Sequence, residues 1–113
     1  MIIFYNMRDV PVVENEPTVR PVAWRIVRSS AGSSHLVAVV QSGSLRMTSA
    51  LQKAVAASRT VVTASGRVYE LDAGPAEDPQ TIDMLMARAR LELHDDCEDV
   101  SVQIWNQMLR LTQ

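Results

Sequence analysis

The chain has 113 residues, 47% of them apolar, with a net charge of −2. That length and composition describe one folded domain over residues 1–113 with its own core, and exclude a disordered segment. Cys97 is the only cysteine, which excludes an intrachain disulfide and any paired-cysteine zinc motif.

The opening MIIFYNM is a short apolar run, broken early by Arg8 and Asp9, and reads as an edge strand or flap and not as a signal peptide. Prolines at 11, 17 and 21 make residues 8–21 extended, loop-like chain. Residues 22–28, VAWRIVR, alternate as a strand, with Val22, Trp24 and Ile26 on one face. The polar connection SSAGSS leads to residues 35–41, HLVAVVQ. Their near-continuous apolar character predicts a central strand buried on both faces. After a turn at 42–44, residues 45–48 form a weaker strand. Residues 49–58 fit a helix through Leu51, Ala54, Val55 and Ser58, and equally a strand through Leu51, Lys53 and Val55. The short space between two strands favours strand or irregular chain.

Residues 59–71, RTVVTASGRVYEL, are the clearest local signal: two alternating β-branched and aromatic runs around Ser65-Gly66 predict a hairpin. Asp78 before Pro79 predicts a helix start, and Ile82, Leu85, Met86, Ala89 and Leu93 form its apolar stripe to about His94. Residues 95–99, DDCED, read as a solvated link. Asp99 or Ser101 can cap a last helix with Val102, Trp105, Met108 and Leu109 as its stripe and Ile104 and Leu111 beside it. Residues 100–104 also alternate as a strand would. The order of elements predicts an α+β fold: an antiparallel sheet of about four or five short strands, followed by two C-terminal helices covering one face of it.

Charge is segregated along the chain. Residues 17–69 contain no acid and carry Arg20, Arg25, Arg28, Arg46, Lys53, Arg59 and Arg67; from Glu70 onward ten acids face only Arg88, Arg90 and Arg110. The strand-rich part, about 17–71, is basic and the helical part, about 72–113, is acidic. Three readings follow. The acidic helical side, through Glu92, Asp95, Asp96, Glu98 and Asp99, can engage a basic partner. The arginines Arg25, Arg46, Arg59 and Arg67 can meet phosphates, with Trp24 or Tyr69 stacking on a base. Or the two halves complement each other within one fold or between two subunits.

Catalytic signatures are sparse. The glycines at 32, 43, 66 and 74 form no phosphate loop, there is no nucleophile elbow, and His35 and His94 are the only imidazoles. His35 reads as a polar strand end. His94 and Cys97 stand three apart but lack a second ligand pair, so we expect no metal, no cofactor and no catalytic residue. No run reaches the ~20 apolar residues of a membrane span, which makes a cytoplasmic protein the expectation.

Residues 48–76, TSALQKAVAASRTVVTASGRVYELDAGPA, resemble a group of small phage and prophage proteins of unassigned activity, through Arg59, Val61, Thr63, Ser65, Gly66, Arg67, Tyr69, Leu71, Gly74 and Pro75. The resemblance covers about a quarter of the chain and carries no catalytic residue across. It implies a small phage accessory protein in the cytoplasm of a bacterial host. The function expected is a non-enzymatic interaction module that inhibits or modulates a host system, in the manner of an anti-CRISPR or other anti-defence protein. Its partner would be a host protein or nucleoprotein complex, with a homodimer allowed; a nucleic-acid-binding regulator is the alternative.

Overall fold

The computed structural model describes residues 2–5, 18–94 and 96–112. Strands β1 (Ile3–Tyr5), β2 (Thr18–Val19), β3 (Ala23–Ser29), β4 (Ser34–Val39), β5 (Leu45–Val55), β6 (Thr60–Thr63) and β7 (Val68–Glu70) precede helix α1 (Pro79–Leu93). Strand β8 (Cys97–Asp99) and helix α2 (Ser101–Leu111) follow it. The strands form one sheet ordered β2-β7-β6-β5-β4-β3-β8, with β1 pairing β5 off this path. The α+β class and the two packed helices are as expected. The strand number is higher, because short edge strands add to the long central ones. Pairing is antiparallel except at β1 and β2, which run parallel to β5 and β7. Most of the loop expected over 8–21 lies outside the described residues, and its end supplies β2.

The sheet turns on β5. This single strand of 11 residues absorbs the weak strand and residues 49–55 of the ambiguous segment after it, while 56–58 form a turn. Its first half pairs β4 and its second half pairs β6, with a register shift on each side. Extra residues of this kind bend a strand and increase its twist. One face of the bent sheet gathers Trp24, Ile26, Leu36, Ala38, Leu51, Ala54, Val61, Tyr69 and Leu71 around Val100, Ile104 and Met108 at α2. The opposite face presents Val27 and Val37 to Leu85, Met86 and Ala89 of α1. Leu36, Val37 and Ala38 are all fully buried, so β4 is covered on both faces as its composition predicts.

The helices therefore lie on opposite faces, not on one. The cause is β8. It pairs with the edge of β3, Val27 opposite Asp99 and Arg28 opposite Glu98, and carries the chain around that edge from one face to the other. The DDCED segment is thus part strand and not simply a solvated link. The ladder then passes to a side chain: Val100 N–H donates to Ile26 O at 2.9 Å, and Ile26 N–H donates to Ser101 Oγ at 2.7 Å. The helix starting at Ser101 excludes a strand over 100–104.

The local signals hold where they are strongest. In the hairpin Val61 faces Tyr69 and Val62 faces Val68. Gly66 has φ of 90°, its N–H donates to Thr63 O, and Thr63 N–H donates to Arg67 O. That is a tight turn closed by a left-handed glycine. At α1, Asp78 accepts from Thr81 N–H at 3.0 Å. These bonds from Thr81 hold the Asp78 carboxyl below its ordinary value. A carboxylate whose folded value is depressed contributes stability above its unfolded value, and loses that contribution as pH falls through the folded one. The expected α1 stripe, Ile82, Leu85, Met86, Ala89 and Leu93, packs as one cluster. The α2 stripe is rotated from expectation: Ser101, Ile104 and Met108 are buried, while Val102 and Leu111 are exposed. The contacts of Val100 and Ser101 with β3 set that rotation.

Candidate interaction surfaces

The segregated charges meet each other. Arg20 Nε lies 2.8 Å from Glu70, Arg25 Nη2 lies 2.9 Å from Asp99, and Arg28 Nη1 lies 3.4 Å from Glu98. The Arg25 and Arg28 pairs join the basic strand-rich part to the acidic part through β8, while the Arg20 pair ties β7 to the chain after β2. The Arg25 pair is the most enclosed, with side chains 13% and 24% exposed. Arg25 also donates to Ala76 O, and the other oxygen of Asp99 accepts from Ser101 N–H at 3.0 Å. Asp99 thus satisfies the first free amide of α2 as well as the arginine.

The acidic group expected to face a partner is accordingly divided. Glu98 and Asp99 are occupied across β8 and β3. Glu92 pairs with Arg88 one turn away at 3.0 Å. Asp96 accepts from the Ser30 hydroxyl, and Asp95 lies outside the described residues. The arginines expected to meet nucleic acid do not share a face. Arg25 stands opposite Val37, on the α1 side of the sheet, whereas Arg46 stands opposite Ala38, on the α2 side. Arg59 has φ of 54° and lies over the Trp105 ring at 5.6 Å. Trp24 and Trp105 meet edge to face at 5.8 Å. Trp24 is buried and donates to Ala73 O, and Tyr69 is buried too, so neither ring is presented for stacking on a base.

His35 is more than a strand end. Its Nε2 lies 2.9 Å from Ser33 Oγ and its Nδ1 lies 3.0 Å from Thr48 O. Because a carbonyl only accepts, Nδ1 carries a proton and donates to Thr48 O. Ser33 Oγ is also 2.8 Å from Ser29 Oγ, which completes a local polar chain at the β3–β4 turn. A pocket of about 330 Å³ opens on the α2 side, lined by Ile2, Phe4, Arg28, Ser34, Ile104 and Gln107 among others. Among the described residues no three His, Cys, Asp or Glu groups converge as a metal site.

The least expected feature is on α1. Opposite its buried stripe, Met84 is 43% exposed and Leu91 77% exposed, with Ala87 exposed between them. These three share one helix face. Ala87, Arg90, Leu91 and His94 line a shallow depression there of about 490 Å³. The sequence reading missed this face because the inward stripe already accounts for the helix. The signal was nonetheless present, as apolar residues recurring at 84, 87 and 91.

In class the molecule is an α+β protein, with a bent, mostly antiparallel sheet held between two helices. No family model, curated protein or solved structure matches the chain. No helix among the described residues is long and apolar enough to cross a membrane.

Proposed function

We propose that the chain is a non-enzymatic protein-interaction module that docks through the outer face of α1. The observation that carries this reading is the exposed apolar face Met84, Ala87 and Leu91 on a helix whose other side is fully engaged with the sheet. Exposing a side chain such as Leu91 forgoes about 1.5–3 kcal/mol of burial, and a contiguous exposed apolar patch marks an interaction site. Arg90 and His94 border the face at its C-terminal end, and Asp83 at its N-terminal end. The resemblance over residues 48–76 supports a phage accessory protein that inhibits or modulates a host system. The internal pairing of Glu98 and Asp99 moves the docking face from the acidic segment to the helix before it.

The test is capture on immobilised protein from lysate of a host that also expresses a tagged copy of the chain, wild type against Leu91→Lys, a change that keeps a good helix former near the helix C-terminus. The expected result is a protein partner retained by the wild type and lost with Leu91→Lys. Equal retention by both would overturn the assignment of the face.

A further inference from the structure

On the reading that α1 docks another chain, we infer that the chain it docks is a second copy of itself, packed antiparallel across a two-fold axis at Ala87. The outer face of α1 is a heptad seam. Gln80, Met84, Ala87, Leu91 and His94 recur at alternating spacings of four and three, and Gln80, Ala87, Leu91 and His94 are exposed with Met84. Apolar residues at this spacing keep a seam facing a partner helix, and each projecting side chain enters a hole made by four residues of that partner. The depression on α1 is such a hole: Ala87, Arg90, Leu91 and His94 stand at i, i+3, i+4 and i+7. Met84, one turn earlier, is the side chain that can fill it.

The seam matches itself in the antiparallel sense. With Ala87 on the axis, Met84 meets the partner's Leu91 and Ala87, over the partner's hole. The polar ends also meet, Gln80 against the partner's His94. The alanine at the centre lets the helices approach to about 8 Å, the close end of helix packing. Charge completes the match. Asp83 and Arg90 are exposed on the same flank of the seam, four residues before and three after Ala87. The two-fold axis places Asp83 of each copy beside the partner's Arg90, giving two reciprocal pairs. A parallel partner would instead hold the Asp83 and Arg90 of the two copies on opposite flanks of the seam, where they cannot pair with each other. The seam is about two heptads long, shorter than a self-sufficient coiled coil, so association is concentration-dependent.

The experiment is sedimentation equilibrium from about 10 µM to about 1 mM, a range that spans weak association, on the wild type, Asp83→Lys, Arg90→Glu and an equimolar mixture of the two variants. The expected wild-type result is a monomer of 12.5 kDa passing to a dimer. Each single variant should associate about tenfold more weakly, since two pairs turn from attraction to repulsion. The mixture should recover, because Lys at 83 then faces Glu at 90 while the native pair remains across the same axis. Circular dichroism checks that each variant is folded. A wild type that stays monomeric, or a mixture no stronger than its components, overturns the inference. If the wild type stays monomeric but still captures a lysate protein that Leu91→Lys loses, the docking reading stands and only the second copy falls. A monomer that captures nothing removes both.

Discussion

Asp99→Ala should lower the unfolding free energy by about 2–3 kcal/mol, and the melting temperature by roughly 8–15 °C for a chain of this size. One carboxylate serves two elements. Its Oδ2 takes Arg25 Nε at 2.9 Å, and its Oδ1 takes Ser101 N–H. Removing it leaves Arg25 enclosed without its counter-charge and an amide at the start of α2 without an acceptor. Leaving one half of a buried pair behind costs about 3–5 kcal/mol; the partial exposure of this pair reduces that figure. Glu98→Ala is the control, on the same strand. Its bridge to Arg28 is longer, with side chains 48% and 68% exposed, and should contribute within about 0–1 kcal/mol. Denaturant unfolding of both variants measures the difference. Equal losses would show that the enclosed pair has no special weight.

The second large effect separates the two faces of α1. Leu85 is fully buried against the sheet. Leu85→Ala should cost about 2–5 kcal/mol through lost transfer energy and the cavity left behind. Leu91→Lys, on the outer face, should change monomer stability by less than about 0.5 kcal/mol, as an exposed substitution does. Thermal and denaturant unfolding at low concentration, where self-association is negligible, provide the comparison. A large loss at Leu91 in the monomer would mean that the outer face serves folding and not docking.

These contrasts also show what could be read from the residues alone. The hairpin at 59–71, the Asp78 cap and the inward stripe of α1 depend on local chemistry, on glycine at positive φ, on a side-chain acceptor at a helix start and on helical spacing. Each stands as expected. The two-sided burial of β4 was equally plain from its continuous apolar run. What escaped was fixed by distant partners. No propensity favours Cys97–Asp99 as a strand, since acidic residues are depleted in sheets; it forms one because Arg25 and Arg28 wait on β3. The helices took opposite faces for the same reason, because β8 carries the chain around the sheet edge. Strand β5 looked like two segments because its register shifts swap the faces of its side chains part-way along, which breaks a simple alternation. The α2 stripe was misplaced by about one position, since its contacts at Val100 and Ser101 set its rotation. Of the candidate site residues, Asp99 and Arg25 turn out to join the two halves of the chain, with Glu98 in an exposed bridge beside them. The charge segregation that suggested an external partner is in part an internal match.

The central claim, that the outer face of α1 is a docking face, is tested most directly by a photo-crosslinking residue placed at Ala87 in the protein expressed in its host, with the exposed β5 residue Gln52 as the control position. The account predicts a discrete protein adduct at 87 and none at 52, with a mass twice that of the chain if the second copy occupies the face. No adduct at 87, or the same adducts at both positions, would contradict it.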